Sequence, residues 1–436
     1  MTDGVVVVGA GPAGAATAIH LARRGLRTVL LDARAFPRSK PCGDAVSPGA
    51  TPHLRELGVW DALLDRAPAT IDRWAVRSPG GRWFGGGYRD DLDTSPAAGL
   101  AMDRRDLDDV LLRAARAAGA EVLAGRRVFE LVWRRGRVRG VRARRPDGEP
   151  ETIRADFVVG ADGLRSRVAR RLGPVRSGPR PRLALVARLE GVPVEGTHGE
   201  LRLTRDGVVG MAPIGPGRAN VTVVVPRAAG RRLASDPEGF LRAHIGAVGL
   251  GDRLAGARLV RPLDVTGPFE ARPARRTAPG ALLAGDAAGY FDPLTGQGVH
   301  GALCGASLAA RAIVGSLDRP DTEAERLADY EGALDRLFVP VRRVQRLVDL
   351  AVRRPALVEP VAAALAARPG LARLLLEVTG DRLPAGALLR PAEWARALAG
   401  RETPAASGAG GRATPAPPGA RVPRSERRAW DRHAHP

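Results

Sequence analysis

Cysteine is scarce in this chain, which has only Cys42 and Cys304 among 436 residues. Two cysteines are too few for a disulfide framework or for a four-thiolate metal site. Their scarcity fits a reducing compartment, where thiols stay reduced. Lysine is scarcer still. Lys40 is the only lysine in the chain, although Lys and Arg together number 68. Since arginine replaces lysine everywhere else, we expect Lys40 to have a specific role.

Long apolar runs are also missing. No run of about 18 apolar residues occurs, so we expect no helix that spans a membrane. The N-terminal segment enters GVVVVGAG without the basic region and cleavage site of a signal peptide. The sequence therefore predicts a cytoplasmic protein, and a peripheral contact with a membrane stays open.

Aromatic residues make up 4% of the chain and are rarely interleaved with its arginines. The formal net charge of +21 would suit a nucleic acid. The arginines are spread along the chain, however, and the abundance of Ala, Gly and Pro indicates a compositional bias. We therefore predict no nucleic-acid partner. The segment 401–436 is basic, rich in Pro, Gly and Ala, and predicted to be disordered. A non-catalytic, binding role through this tail is an alternative function.

The N-terminal segment has the pattern of a strand, a helix and a second strand. Val5 to Val8 form an apolar run typical of a strand buried on both faces. The helix is predicted from Pro12 to Arg24, and the second strand from Arg27 to Asp32. This is one βαβ unit of about thirty residues, the size that dinucleotide-binding folds use.

A glycine pattern lies at the turn of this unit. Gly9, Gly11 and Gly14 follow G-x-G-x-x-G, which permits a tight turn, a close approach to a diphosphate and helix–strand packing. Asp32 ends the second strand, where a carboxylate accepts hydrogen bonds from ribose hydroxyls. The pattern predicts a bound dinucleotide but does not distinguish FAD from NAD(P).

The spacing of apolar residues changes along the chain between a helical period and a period of two residues. This change predicts an α/β fold with an interleaved β-rich part. We expect a Rossmann-like FAD-binding domain, an antiparallel β-sheet substrate domain and a C-terminal helical region. The predicted FAD-binding domain comprises 1–75, 100–178 and 270–320; the β-rich domain comprises 76–99 and 179–269; the helical region comprises 321–400, followed by the tail.

Two later stretches identify the cofactor. VVGADGLRSRVAR contains Asp162 and Gly163, and LLAGDAAGYFDPLTGQGVHGAL contains Asp286. With the glycine pattern, these stretches resemble the three signatures of the FAD-dependent class A flavoprotein monooxygenase superfamily. That superfamily includes para-hydroxybenzoate hydroxylase-like enzymes and geranylgeranyl reductases. The resemblance covers roughly residues 4–320 and implies FAD, with NAD(P)H as a transient co-substrate.

The resemblance also implies a set of cofactor-binding residues. The glycines would face the diphosphate, Arg104 would reach the same group as a charge partner, and Val128 would touch the adenine. Asp162 would support the diphosphate region, Asp286 would bind the ribityl hydroxyls, and a helix start would face the isoalloxazine edge. The full set is Gly9, Gly11, Pro12, Ala13, Gly14, Asp32, Ala33, Arg34, Lys40, Cys42, Gly43, Arg104, Val128, Asp162, Gly163, Gly285, Asp286, Pro293, Gly296, Gly298 and Val299.

The stretch KPCGDAVSP closely resembles the Lys-x-Cys-Gly-x-x-x-Ser-Pro segment of the geranylgeranyl reductase branch. In that branch the segment lies beside the flavin, so the resemblance implies a cationic contact by Lys40 and a small wall formed by Cys42. Cys42 as a plain buried side chain is an equally weighted alternative.

Other candidates for chemistry are weaker. No nucleophile triad, P-loop or metal-ligand spacing occurs, so we predict no metal site. His300 could donate a proton near the flavin, but a histidine satisfied within its helix is favoured. Cys304 lies in a predicted helix without a setting like that of Cys42. The flavin therefore carries the chemistry and the protein supplies position and electrostatics.

Two enzymatic functions stay open. The resemblance of FDPLTGQGV to the hydroxylase form of the third signature favours an NAD(P)H- and O2-dependent monooxygenase. That enzyme would hydroxylate an aromatic or polyketide-like molecule through a flavin C4a-hydroperoxide. KPCGDAVSP supports the alternative, a geranylgeranyl reductase-like enzyme that reduces isoprenoid double bonds by flavin hydride transfer.

Overall fold

The fold is seen in a computed structural model that describes residues 3–66, 68–88, 98–179, 181–193, 196–205, 207–290, 293, 296–352 and 354–399. The tail 401–436, predicted to be disordered, lies outside the described residues. The helices are α1 (Pro12–Ala22), α2 (Thr51–Glu56), α3 (Trp60–Leu64), α4 (Arg104–Ala117), α5 (Arg167–Leu172), α6 (Gly230–Ser235), α7 (Pro237–Ala247), α8 (Gly298–Asp318), α9 (Glu323–Val352), α10 (Pro355–Ala367), α11 (Pro369–Thr379) and α12 (Pro391–Ala399).

The strands form several sheets, and the pairing within the two largest is given below. They are β1 (Val5–Val8), β2 (Thr28–Asp32), β3 (Ala45–Val46), β4 (Ala69–Ile71), β5 (Arg73–Arg77), β6 (Trp83–Gly87), β7 (Gly99–Ala101), β8 (Glu121–Ala124), β9 (Arg127–Arg134), β10 (Arg137–Arg144), β11 (Pro150–Arg154), β12 (Phe157–Gly160), β13 (Val175–Ser177), β14 (Arg182–Glu190), β15 (His198–Leu203), β16 (Val208–Gly215), β17 (Arg218–Pro226), β18 (Arg258–Leu259), β19 (Asp264–Thr266), β20 (Ala271–Pro273), β21 (Thr277–Ala278) and β22 (Ala281–Leu283).

A six-stranded sheet carries the N-terminal βαβ unit. Its order is β21-β22-β12-β1-β2-β8, and all its neighbours are parallel except β21 and β22. β1 is central and fully buried, as its unbroken valine run predicts for a strand covered on both faces. The first helix ends at Ala22, two residues before the predicted end, and the second strand begins at Thr28. The α/β class is confirmed.

A second, largely antiparallel sheet forms the β-rich part. Its order is β18-β14-β17-β16-β15-β5-β6, with β19 beside β14. β15 and β5 pair in parallel, and the other pairs on this path are antiparallel. α10 and α11 pack against β6, so the C-terminal helices cover one end of this sheet. The division of the chain into domains at the stated residues stays a prediction.

One described helix bears on the expectation about membrane spans. α8 is long and apolar enough to cross a membrane by length and composition, although 56% of its most apolar window is buried inside the protein. Its alanines and glycines pack against α1 and α9. Its sequence is no unbroken apolar run, because glycine, serine, histidine and Arg311 interrupt it.

A buried ion pair joins the loop before β3 to the β-rich sheet. The guanidinium of Arg188, in β14, donates from Nε to Asp44 Oδ2 at 2.7 Å and from Nη2 to Oδ1 at 3.0 Å. Asn220 Nδ2, in β17, donates to the same Oδ2 at 2.7 Å. Both charged side chains are almost wholly buried. The loop before β3 is therefore held against the β-rich sheet by charge-assisted hydrogen bonds.

Replacing Arg188 tests how much the protein depends on this pair. Arg188→Met should lower the free energy of unfolding by about 3–5 kcal/mol, because it leaves the Asp44 carboxylate buried without its partner. Burial already raises the pKa of Asp44 against the opposing effect of Arg188. A carboxyl whose pKa is raised in the folded state destabilises that state above its unfolded pKa, so the deficit should shrink as the pH falls toward about 4.

Urea unfolding of the flavin-loaded protein at several pH values measures this effect. The matched control is Arg258→Met, because Arg258 pairs with Glu190 at 3.3 Å but is 81% exposed. That change should cost less than about 1 kcal/mol. Equal losses for the two variants would contradict the assignment of the buried pair as the contact that holds the loop before β3 on the β-rich sheet.

Candidate active site

A continuous groove runs along the carboxyl ends of β1, β2 and β12. It consists of a cavity of about 330 Å³ near Asp32 and a second of about 170 Å³ near Asp286. The two cavities share Gly11, Lys40 and Gly163. Ligands of open parallel sheets bind at this edge.

The groove brings together 20 of the 21 residues predicted to bind the cofactor. The first cavity is lined by Gly9, Gly11, Asp32, Ala33, Arg34, Lys40, Val128, Asp162 and Gly163. The second is lined by Gly11, Pro12, Ala13, Lys40, Cys42, Gly43, Arg104, Gly163, Gly285, Asp286, Pro293, Gly296, Gly298 and Val299. Gly14 lines neither cavity, and Phe291, Asp292, Leu294 and Thr295 of the third signature lie outside the described residues.

The glycine turn is shaped to hold a diphosphate. Gly9 has a φ of +101°, and a Cβ there would collide with the backbone of Ala161. At Gly11, by contrast, a Cβ would meet only the Arg38 guanidinium, at 3.8 Å, so this face of the backbone is open to a ligand. α1 begins directly after it without a side-chain cap, which leaves N–H groups for an anion. Gly14 instead serves packing, because its Cβ would overlap the carbonyl of Gly9.

Asp32 lies at the end of β2 with its carboxylate fixed by the protein. Oδ2 accepts from the backbone N–H of Ala10 at 2.9 Å, and Oδ1 accepts from that of Arg34 at 2.9 Å. Arg38, which the sequence analysis missed, reaches Asp32 at 3.4 Å and Asp108 at 3.1 Å. Arg38 therefore places a positive charge beside the open face of Gly11. It follows the strand in a loop where no motif marked it.

Lys40 and Asp286 face each other across the second cavity. Nζ of Lys40 lies 3.8 Å from Oδ2 of Asp286, and both side chains are about one third exposed toward the groove. Asp286 follows β22 in a 3₁₀ turn whose first residue, Gly285, has a φ of +59°. The carboxylate of Asp286 points at Lys40.

Two predicted residues are used differently from the expectation. Arg104 is 5% exposed and donates to Asp108 at 2.8 Å, so its guanidinium is occupied within α4. Burial disfavours its charge, but Asp108 and Cys42 outweigh burial and raise its pKa. Asp162 accepts from Ser166 and from the backbone N–H of Arg167 at the start of α5. Its carboxylate is thus a helix-start acceptor, and burial raises its pKa despite these bonds.

The segment with Lys40 and Cys42 is held in place by the β-rich sheet. The backbone carbonyl of Lys40 accepts from Arg188 at 3.1 Å, and that of Cys42 accepts from Asn220 at 2.9 Å. Cys42 lines the groove as a free thiol. Neither Arg188 nor Asn220 was predicted, because strand residues far along the sequence carry no local signal of this contact.

A large apolar cavity continues from the groove. It has a volume of about 270 Å³ and shares Gly43, Ala45, Thr222, Pro293 and Gly296 with the second groove cavity. Its walls come from the β-rich sheet and from α9, α10 and α11, and they include Trp74, Phe84, Leu201, Leu203, Met211, Val358, Val361, Leu365, Leu375 and Leu376.

Sequence comparison agrees with this geometry. The model of a family described as "FAD binding domain" matches residues 2–332. The chain belongs to this family. Digeranylgeranylglycerophospholipid reductase 2 of Methanopyrus kandleri is 31% identical over 77% of this chain and 82% of its own length. Menaquinone reductase of Mycobacterium tuberculosis is 32% identical over 79% of this chain and 83% of its length.

Another relative is longer than this chain. Conditioned medium factor receptor 1 of Dictyostelium discoideum is 30% identical over 75% of this chain but only 66% of its own length.

Solved structures share the fold. The chondrochloren halogenase CndH has a TM-score of 0.72 at 24% identity and covers 86% of this chain and 96% of its own. A geranylgeranyl bacteriochlorophyll reductase-like protein of Thermoplasma acidophilum has a TM-score of 0.67 at 22% identity, covering 91% and 95%.

FAD as the cofactor of this flavoprotein is therefore confirmed, as is its membership of the class A monooxygenase-like superfamily. The open backbone at Gly11 and the groove that connects Asp32 with Asp286 fit a long dinucleotide. The role of each lining residue stays a prediction.

Removing the Asp286 carboxylate tests the second half of the groove. Asp286→Ala should raise the dissociation constant of FAD at least tenfold, about 1.4 kcal/mol, because ribityl hydroxyls lose their acceptor and Lys40 loses its partner. Flavin fluorescence during titration of the apoprotein measures this change. Asp147→Ala, at a side chain 57% exposed in a distant turn, is the control. Unchanged FAD affinity in the Asp286 variant would remove the residue from the site.

Proposed function

We propose that this flavoprotein reduces carbon–carbon double bonds in a long apolar, isoprenoid-like chain. The observation that carries the proposal is the apolar cavity that opens from the flavin groove. A cavity with these walls suits a hydrocarbon, since each CH₂ group removed from water contributes about 0.8 kcal/mol. The proposal places the reductase ahead of the monooxygenase that the sequence analysis favoured.

The polar side chains at the junction between the groove and the cavity are already engaged. Asn220 donates to Asp44 and to the Cys42 carbonyl, and its Oδ1 accepts from Thr222 at 2.7 Å. These groups orient one another, and most of the other residues that line the cavity are apolar. Recognition of a phenol or a polyketide would call for polar groups directed at the substrate.

The residues of the groove would hold FAD so that its reactive ring meets the cavity. Bound FAD supplies two electrons, drawn from a donor such as NAD(P)H. With two protons, these electrons convert one C=C bond of the substrate to a single bond. Lys40 and Asp286 would fix the cofactor, and the Cys42–Gly43 segment would form the wall between the cofactor and the substrate. The apolar lining would exclude water. The names of two relatives, a digeranylgeranylglycerophospholipid reductase and a menaquinone reductase, support this direction.

Anaerobic single turnover tests the proposal. The enzyme, reduced without oxygen, should be reoxidised by geranylgeranyl lipids, and the product should gain two hydrogens by mass spectrometry. Gly210→Leu should raise the KM for long chains at least tenfold but spare a short isoprenoid, because Gly210 lines the cavity and its Cβ would lie 3.3 Å from Leu201. Gly246→Leu, where a Cβ meets nothing within 4 Å, is the control.

Monooxygenation is the second candidate. It is favoured by the third signature, of which Pro293 and Gly296 line both the groove and the apolar cavity. The same enzyme is therefore assayed with O2, NAD(P)H and phenolic substrates. A product that gains one oxygen atom, with no reduction of any isoprenoid tested, would overturn the reductase proposal.

The lipid-like substrate also suggests contact with a membrane. Val361 lines the cavity yet is 45% exposed, so the cavity reaches the surface at α10. Leu357, one turn earlier, is 41% exposed, and Leu347 on α9 is 58% exposed. On the same helix Val344 is buried, whereas Leu347 faces outward. With Arg343, Arg346 and Arg354 in the same region, we infer that this rim rests on an anionic lipid surface.

Flotation with phosphatidylglycerol vesicles at low salt tests the contact. The protein should float with the vesicles, and the double change Leu357→Asp and Val361→Asp should reduce the floated fraction at least fivefold by adding charge to an apolar rim. Val260→Asp is the control, since Val260 is 43% exposed in the β-rich part. No flotation of the unmodified protein, or equal loss in the control, would exclude this surface.

A further inference from the structure

Three side chains with metal-ligating atoms meet outside the flavin groove. His53 comes from α2, and His300 and Cys304 lie one turn apart on α8. Sγ of Cys304 is 3.2 Å from Nε2 of His53 and 3.3 Å from Nε2 of His300. One donor atom from each residue lies within 4.8 Å of the others, and all three residues are half-buried. None of the three lines the groove or the apolar cavity.

The two sulfur–nitrogen distances are close to those around zinc. A tetrahedral Zn²⁺ bound by a thiolate at ~2.3 Å and an imidazole nitrogen at ~2.0–2.1 Å holds the two donor atoms about 3.5 Å apart. The two sulfur–nitrogen distances need to widen by only a few tenths of an ångström. The His53 and His300 rings are tilted by 48° with centroids 5.5 Å apart, so both nitrogens can face the sulfur. A thiolate with two imidazoles selects Zn²⁺ over the oxygen-preferring Mg²⁺ and Ca²⁺.

The second nitrogen of His300 is oriented as metal-bound histidines usually are. Nδ1 lies 3.2 Å from Oδ1 of Asp381, which also accepts from Gln297 at 2.6 Å. The other oxygen of Asp381 accepts from Ser47 at 2.7 Å. A carboxylate on the far nitrogen fixes the ring and leaves Nε2 for the ion. Asp381 has a φ of +59°, so this loop adopts a left-handed conformation in order to present its carboxylate.

The electrostatics of the cluster favour a thiolate. Burial would raise the pKa of Cys304, but hydrogen bonds from His300 and His53 outweigh burial and lower it to about 7. Burial likewise opposes the charge of His300, whose bonds to Asp381 and Cys304 raise its pKa to about 10. The thiol already contacts both imidazoles, and an ion that binds there takes the place of the proton between Cys304 Sγ and His300 Nε2.

We propose that His53, His300 and Cys304 form a Zn²⁺ site, with solvent or a small ligand in the fourth position and Asp381 as the positioning residue. The site connects α2 and α8 with the loop after α11, and α11 contributes Leu375 and Leu376 to the apolar cavity. An ion there stabilises the docking of the C-terminal helices on the flavin half of the protein. The proposal is independent of which substrate the flavin reduces.

Equilibrium dialysis of the untagged, flavin-loaded protein against ZnCl₂ tests the site. One Zn²⁺ should bind per chain. Cys304→Ser and His53→Gln should each weaken binding at least 100-fold, and Asp381→Asn should weaken it 10–100-fold. The control variants Cys42→Ser and His244→Gln should bind as the unmodified protein does. Binding at less than one ion per chain, or binding unchanged in both Cys304→Ser and His53→Gln, overturns the proposal.

A second readout covers the case in which a variant folds poorly. Co²⁺ added to the unmodified protein should give tetrahedral bands at wavelengths beyond those of the flavin, and His53→Gln should abolish them. Zn²⁺ should also slow alkylation of Cys304 at least tenfold in the unmodified protein, while Cys42 reacts at its usual rate. Alkylation of Cys304 that Zn²⁺ does not slow would mean that the cluster is only a thiolate–imidazolium pair.

Discussion

The close approach of α1 to the end of β1 is the contact on which the active site depends. A side chain at Gly14 would overlap the Gly9 carbonyl, and one at Gly9 would collide with Ala161 at the end of β12. Only glycines let these three backbones meet. The start of α1 is thereby brought to the edge of the sheet with its N–H groups exposed, which is where a diphosphate binds. This contact between the three backbones sets the position of the groove that runs from Asp32 to Asp286.

The two halves of the site differ in polarity. The flavin half is polar, and its side chains are mostly fixed by one another: Asp32 by backbone N–H groups, Arg104 by Asp108, and Asp44 by Arg188. The cavity half is almost entirely hydrocarbon, formed where the C-terminal helices cover the β-rich sheet. The reaction we propose at the junction would combine a cofactor held by fixed polar groups with a substrate recognised mainly by burial. That combination fits a substrate with few polar groups near its reacting bond.

The sequence could predict features encoded by neighbouring residues, but not features that join distant segments of the chain. The glycine turn, Asp32 and Asp286 are encoded by local patterns, and the structure places all of them along one groove. The apolar cavity could not be predicted, because its wall joins strand residues near 201–224 to helices beyond 348. Arg188 and Asn220 were missed for the same reason.

The histidine–cysteine cluster joins residues that lie far apart in the sequence. His53 and Cys304 are 251 residues apart, so a search for ligand spacing in the sequence had nothing to find. His300 was expected to be a satisfied helix histidine, and Asp381 does satisfy its Nδ1. Asp381 and His53 come from segments with no motif, so no sequence pattern linked them to His300. Only the packing of α2 against α8 makes the three donor atoms neighbours.

The single lysine can now be understood from its surroundings. Arg38, Arg104 and Arg188 near the groove are each held by carboxylates through planar guanidinium groups. Lys40 lies in a gap between the Asp286 carboxylate and the backbone of Gly163. Its Nζ is 3.8 Å from Asp286 and 3.8 Å from where a Cβ of Gly163 would lie. A compact ammonium fits this gap and can turn its donors toward a ligand, whereas a guanidinium has a fixed, wider fork. Arginine could replace lysine at the surface without loss, but here the replacement would narrow the groove at the point where its two cavities join.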